Sequence, residues 1–521
     1  MRYFAPPWHR ERPKDRDGVS LRRVVPPKVD VIWNMNHYAN SAVRARIAEF
    51  LGVGCQGSNP TAIGFATSGE PAQLPALPRS FAELSASLRH NQEIFRSLWD
   101  RESLLADLEI GYVNFDNPAL SYTDYPRTFA LQEPVRREIQ RVLLGFGIAP
   151  LHLLSGRGHH FLWRIRRDSE SFARLANLGR MAPSLRDRYD KRSSPGGERV
   201  DHTLGNAFVG LGRIMEYFAA EIKKRAAPIL RLPIELSAFE VGPGERGREM
   251  ISFDISQHAD PLYARFTRVA YSRHLRTSEQ LGPVTDETTS SPRPLFVIPL
   301  YEMSVEEAVT VMHDIEAVAA LASYAPAKIP DCSHGTGNLL NSYLSSELAK
   351  FHCDFYAGEP EPPDRWLETY DRIDLDQLPP CVRFLLLNPN DVLLRPSSMR
   401  RVALTLLSLG WHPRQIAGLI QSRFEHDFGW NNYWVNYDPA TRAEFFTRVF
   451  AGLVIAGYDD LIDFNCCSTQ EQKICFQPNC QDDLEPFRAS LLNRRTHGRL
   501  ARRPFHRLFL PGEIDKMARN Q

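Results

Sequence analysis

Two stretches constrain this chain more than any others: residues 104–118, L-L-A-D-L-E-I-G-Y-V-N-F-D-N-P, and residues 151–165, L-H-L-L-S-G-R-G-H-H-F-L-W-R-I. Both have the apolar content of buried strands, yet each carries polar groups in its middle. In a strand, residues two apart share a face. Asp107 and Glu109 therefore project together, with Leu108 and Ile110 packing behind them. Two carboxylates on one face repel unless a cation sits between them, and a divalent metal held by oxygen ligands is the usual solution. The second stretch reads as strand, tight turn, strand, with Gly156 and Gly158 permitting the turn. Ser155, Arg157 and the amides around them form a cradle for an anion. His160 lies just past the turn, on the face of Leu162 and Arg164. A carboxylate pair beside a Ser/Arg/His cradle points to metal-dependent chemistry on a phosphorylated substrate.

D-L-E at 107–109, S-G-R-G-H-H at 155–160 and Phe253–Asp254 together resemble the three-motif signature of the archaeo-eukaryotic primase superfamily. The second motif is the most specific of the three, because D-x-E recurs by chance. The resemblance implies an α+β chain: a primase-type catalytic domain with an RRM-like sheet and helices, followed by a mainly α-helical cysteine-cluster domain. It implies that Asp107, Glu109 and Asp254 are catalytic and hold Mg²⁺ or Mn²⁺, and that Ser155, Arg157 and His160 bind the nucleotide triphosphate. Asp201 is the fallback for the third acid. The activity implied is that of a nucleotidyltransferase, a DNA primase-polymerase building a primer or short strand on a single-stranded DNA template from nucleoside triphosphates. Proteins of a replication or defence system are its implied partners. The alternative is a catalytically weak primase-like scaffold that binds nucleic acid. A His-hydrophobe-His nickase site is excluded because His159 and His160 are adjacent.

Bulk properties fit several domains in 521 residues, with 43% hydrophobic content for packed cores. The net charge of +1 announces no global nucleic-acid affinity; the positive charge is local, with 15 Lys/Arg against 8 Asp/Glu over 151–230. No 18-residue apolar run is present, so no membrane partner is expected. The first residues, M-R-Y-F-A-P-P-W-H-R, lack an apolar signal core, and eight cysteines in so long a chain suit a reducing cytoplasm.

Along the chain, 1–30 reads as a basic arm, either solvated or touching nucleic acid. The catalytic domain is expected over 31–276, with a strand at 29–33, helices at 42–51, 81–100, 134–147 and 206–225, and an exposed basic insertion within 168–230. Asp116 reads as a turn cap. Gly242, Gly244 and Gly247 loosen the approach to Asp254, with Arg246 and Arg248 set before it. Arg265, Arg268, Arg273 and Arg276 are candidates to line a nucleic-acid channel. A linker is expected at 277–300 and a helical connector with an acidic linker at 301–375, where S-V-E-E at 304–307 has the form of a capping box opening a helix to about 322.

The last signal is a set of cysteines. Cys381 stands alone, and C-C-S-T-Q-E-Q-K-I-C-F-Q-P-N-C at 466–480 follows two helices expected at about 397–410, with Ser as N-cap, and 412–427. One distant and three clustered cysteines over 376–490 resemble the iron–sulfur domain of the primase large subunit. The resemblance implies Cys381, Cys467, Cys475 and Cys480 as ligands of a 4Fe–4S cluster, with Cys466 as the alternative to Cys467. Zinc would accept the same thiolates, and buried unliganded thiols are the plain alternative. Cys55, Cys332 and Cys353 read as unliganded. The basic tail, 491–521, suits phosphate contact.

Overall fold

The computed structural model describes residues 37–53, 60–67, 79–98, 100–191, 201–236, 248–255, 258, 266–274, 294–389, 393–425 and 439–496. The arm 1–30, the strand expected at 29–33, most of the tail, Cys55, Gly242, Gly244, Gly247, Arg246, Arg265 and Arg276 lie outside the described residues. The architecture is α+β, with two sheets and many helices. Among the described residues no helix is long and apolar enough to cross a membrane.

The described strands are β1 (Phe65–Thr67), β2 (Ile94–Ser97), β3 (Ser103–Asn114), β4 (Leu151–Ser155), β5 (Gly158–Arg166), β6 (Ile234–Leu236), β7 (Glu249–Asp254), β8 (Phe266–Arg268) and β9 (Ile298–Pro299). Six of them form one sheet in the order β6-β7-β3-β5-β4-β9, and three form a second sheet in the order β1-β2-β8. Pairing in the large sheet is antiparallel except between β6 and β7. The long alternating segment, β3, lies at the centre of the large sheet. Its partners bury both of its edges, which is why so apolar a strand is stable there.

One face of this sheet carries Leu108, Ile110, Phe161, Trp163 and Phe253 into a core filled by helices. The helix Tyr125–Gly145 covers it with Val135, Ile139, Val142 and Leu143, and the 25-residue helix His202–Ala226 adds a second buried stripe. Burying one Leu or Phe side chain stabilises by about 1.5–3 kcal/mol, so these stripes dominate the fold. On the opposite face, Leu105, Leu153 and Leu162 pack with Phe65 and Ile94 of the small sheet. The same large core continues into the C-terminal helices through Phe351, Leu385, Leu404 and Phe450.

Several expectations change. Residues 81–100 are not one helix: a short helix, Leu84–Arg89, is followed by β2, whose Ile94 enters the core of the small sheet. The helix expected at 134–147 begins at Tyr125, capped by Asp124, and runs through Pro134. The bonded turns on both sides carry it past the single N–H that proline lacks. The supposed exposed insertion, 168–230, holds helices Glu170–Leu178, Pro183–Lys191 and His202–Ala226, and the last of these is mostly buried. Helices 170–178 and 202–226 approach so closely that a Cβ on Gly210 would lie 2.1 Å from the Leu175 carbonyl oxygen. The Ser304 capping box is present, but the helix stops at Val311 and a second one, Ile315–Tyr324, starts from an Asp314 cap. The helix expected to start on Ser397 is Pro396–Ser408, with Arg395 at the cap and proline at its start. Within the stretch read as a linker, 298–299 form β9 and pair with β4.

Candidate functional site

The register of β3 decides what meets what. Glu109 is opposite His160 on one side and opposite Asp254 on the other. Directly opposed residues share a face, so Asp254, Glu109 and His160 form one row across three neighbouring strands. Asp107 is one step along the same face, and the His160 ring nitrogen Nδ1 lies 3.2 Å from its Oδ1. The row sits on the face toward the small sheet. Its neighbours in the alternation, Leu108, Ile110 and Phe253, are wholly buried on the other face, and this anchors the carboxylates.

The turn between β4 and β5 closes one end of this face. Ser155 pairs with Gly158, and Gly158 lies opposite Gly111 of β3. Gly156 has φ +44°, with the His274 ring seated against it. A Cβ on Gly158 would fall 1.9 Å from the Ile110 carbonyl oxygen, so only glycine lets the two backbones come this close. The Arg157 side chain lies over Gly111, its Nε 3.3 Å from where a Cβ would be. The Arg157 carbonyl accepts from Gln132 Nε2 at 2.9 Å and from Tyr112 N at 3.2 Å. The turn is thereby fixed by both the central strand and the helix 125–145.

His159 faces away. Its Nδ1 is 3.0 Å from His152 Nε2, and its ring stands edge-on to Phe129. Burial pushes His159 down to about 3, so it is a neutral core histidine. His160 is the opposite case. Burial alone would lower it, but Asp107 and Glu109 prevail and raise it above its ordinary value, against the pull of Arg268. The two carboxylates thus favour the protonated form of His160. Arg268 enters from β8, its Nε 2.8 Å from Glu93 and its guanidinium over Phe95. Of the four arginines proposed for a channel, Arg268 is held by Glu93 and Phe95, near enough for its charge to act on His160. Arg273 uses its backbone N–H to meet the Tyr38 hydroxyl at 2.8 Å. His258 is buried beyond the end of β7; burial pushes it down to about 4 although Asp107 and Asp254 pull upward.

Other assignments resolve differently. Asp201 caps the helix 202–226 by accepting from Thr203 N at 2.9 Å, and pairs with Arg167 at 3.5 Å. It does not join the acidic row. The turn after β3 is capped by Asn114, whose Oδ1 accepts from Asp116 N and Asn117 N. Asp116 instead meets Arg248 Nε at 3.0 Å. Gln132, Glu93 and His258 escaped the sequence reading. Each stands among other polar residues, and no local pattern marks it.

Four cysteines of the C-terminal region lie near enough to influence one another's charge. Cys381 stands on the helix Pro380–Leu387 and Cys466 on the helix Cys466–Glu471. Burial pushes the Cys381 thiol up to about 11; Arg401 opposes this, and Cys466, Cys475 and Cys480 add to the rise. Of the adjacent pair it is Cys466 that acts on Cys381, whereas Cys467 is exposed. Charge coupling and burial favour Cys466, the alternative ligand, over Cys467. Cys466 Sγ lies 3.4 Å from Asp483 Oδ1. Cys332 is buried against the Ala149 carbonyl and Cys353 is exposed.

Both donor sets suit the groups implied. Three carboxylates on one face are hard oxygen donors, as Mg²⁺ or Mn²⁺ requires. Four thiols are the donors of iron–sulfur clusters and structural zinc. Beside them, two buried N–H positions of Arg401, Nε and Nη1, have no hydrogen-bond partner among the described residues. Among the described residues, no three His, Cys, Asp or Glu side chains stand as a ready-made group for a metal ion. In comparisons with known proteins, no family model matches this chain, and no curated protein and no solved structure matches it either.

Proposed function

We propose that this chain is a primase-polymerase of the archaeo-eukaryotic primase superfamily, with an RRM-like catalytic sheet and a large-subunit-like cysteine domain. It would join nucleotides on a single-stranded DNA template. The observation that carries the reading is the row Asp254–Glu109–His160 with Asp107 beside it, flanked by the Ser155–Arg157 turn. Acids alone would fit many enzymes; acids sharing a face with a histidine and an arginine-bearing turn fit phosphoryl transfer.

In this reading Asp107, Glu109 and Asp254 hold Mg²⁺ or Mn²⁺. When bound, the ion supplies Lewis-acid stabilisation of phosphoryl oxygens and activation of a hydroxyl. The chain's own contribution is positioning and charge, from which phosphoryl transfer draws most of its rate. Arg157 lies along the site face and offers its guanidinium to a triphosphate. His160, whose protonated form Asp107 and Glu109 favour, adds a ring N–H donor. Ser155 and the turn amides add neutral donors. The small sheet packs on this face through Phe65 and Ile94.

In the C-terminal domain Cys381, Cys466, Cys475 and Cys480 would hold a 4Fe–4S cluster or zinc, which ties four segments together.

The test is primer-free nucleotide incorporation on single-stranded DNA with Mg²⁺ or Mn²⁺, comparing wild type with Asp107→Ala and Glu109→Ala. Product from wild type alone, with DNA binding unchanged in the variants, is expected. Equal product from the variants would overturn the reading. DNA binding without synthesis by wild type would favour the scaffold.

A further inference from the structure

Arg401 sits on the helix Pro396–Ser408, in which every residue from Ser397 onward is buried. It is 2% exposed and ranks among the largest fully buried side chains of the chain. Its guanidinium lies over the Phe464 ring at 5.3 Å, and Nη2 donates to Gln472 Oε1 at 3.2 Å. Nε and Nη1 are buried with no hydrogen-bond partner among the described residues. The neighbouring Arg400 is engaged elsewhere, donating to Asp459 at 2.8 Å. A buried cation with unmet donors costs several kcal/mol, and an anion beside it offsets that cost.

The neighbours of Arg401 point to that anion: Phe464 lies two residues before Cys466, and Gln472 caps the helix Cys466–Glu471, so the guanidinium sits against the segment that carries the cysteine cluster. Burial lowers Arg401, while Cys381, Cys466 and Asp463 pull it upward. Free thiols are mostly neutral at pH 7, and metal binding makes them thiolates. Four thiolates around a dipositive ion or a dipositive 4Fe–4S core leave an overall charge of −2. A guanidinium offering two N–H groups suits that charge.

We infer that Arg401 is the built-in counter-charge of the cysteine centre, donating N–H bonds to its sulfurs once the group is bound. The inference rests on the metal-centre part of the proposed function and extends it to a residue that is not itself a ligand. Such outer contacts are worth roughly 10–100-fold in metal affinity.

The experiment uses the full chain, either reconstituted with iron and sulfide under anaerobic conditions or loaded with Zn²⁺, as wild type, Arg401→Met and Arg401→Lys. Iron, sulfide and zinc content, the rate of metal release to a chelator, and the unfolding midpoint with and without metal are measured. Arg401→Met is expected to release metal roughly 10–100-fold faster and Arg401→Lys to fall between. The metal-free midpoint is expected to rise in Arg401→Met, because an uncompensated buried charge has gone. A merely structural arginine would instead lower the midpoint in both states. Unchanged metal release, or a metal-free Arg401→Met chain that is less stable or unfolded, overturns the inference alone. A wild-type chain that takes up neither metal overturns the centre itself and this inference with it.

Discussion

Glu216 is the most consequential charge in the core. It sits on the helix His202–Ala226 with its side chain 1% exposed. Arg448, on the helix Pro439–Ile455, donates to it through Nε at 3.1 Å and Nη2 at 3.0 Å. His352 Nε2 is 3.1 Å away, and its Nδ1 meets the Tyr343 hydroxyl at 2.8 Å. Arg448→Met removes both charge-assisted bonds and the donor at 2.8 Å to the Tyr356 hydroxyl, while keeping an apolar side chain of similar length. It leaves a buried carboxylate with one histidine. Breaking a buried pair in this way costs about 3–5 kcal/mol, a large share of the roughly 5–15 kcal/mol by which proteins are stable. Urea denaturation followed by tryptophan fluorescence measures it. The cycle with Glu216→Gln should return a coupling of about 1–3 kcal/mol. The pH dependence follows in sign. Burial alone would raise Glu216, but Arg448 and His352 bring it below its ordinary value of 4.5. Its stabilisation is therefore complete above that value and is lost as pH falls through the folded one. Burial lowers His352 below 6.5, so unfolding takes up a proton there too and wild-type stability falls with acid. In Arg448→Met the carboxylate no longer gains from ionising, so the gap to wild type should narrow as pH drops. A loss under about 1 kcal/mol, with no coupling, would refute the claim that this triad ties the sheet domain to the C-terminal helices.

Three further outcomes are expected. Gly158→Ala must part β3 from β5, because its Cβ would meet the Ile110 carbonyl oxygen; thermal unfolding should show a loss of about 2 kcal/mol or more, whereas Gly145→Ala, with nothing within 4 Å, should be neutral or gain about 0.5–1 kcal/mol. Gln132→Ala takes one donor from the Arg157 carbonyl, a net hydrogen bond of about 1 kcal/mol; steady-state kinetics should show KM for nucleotide rising several-fold with kcat little changed. Cys466→Ser should abolish metal uptake while Cys467→Ser leaves it intact, read as metal content per chain after reconstitution.

The chain's alternation and punctuation made much of the large sheet legible. The polar pair inside 104–118 announced β3 with both acids on one face, since a strand's period of two needs no partner to fix it. Glycines at 156 and 158 announced the turn, because few other residues tolerate it. Helix starts were read less well. Pro134 suggested a beginning, but tertiary packing of Tyr125 and Phe129 carried the helix backward by more than two turns. The stretch 81–100 looked helical by spacing, yet pairing with β1 and β8 made part of it strand. The sheet partner decides such short apolar runs.

What the sequence determined by itself is therefore which residues could carry chemistry: Asp107, Glu109, Ser155, Arg157, His160, Asp254 and the cysteines. What only the tertiary structure decided is which of them meet, and with whom. The antiparallel register set Asp254 and His160 opposite Glu109. The helix 202–226 claimed Asp201 as its cap. The fold left Cys467 exposed and buried Arg401 between Phe464 and Gln472, which flank the helix Cys466–Glu471. Composition and periodicity act over a few residues, whereas register, burial and charge pairing join positions more than a hundred residues apart.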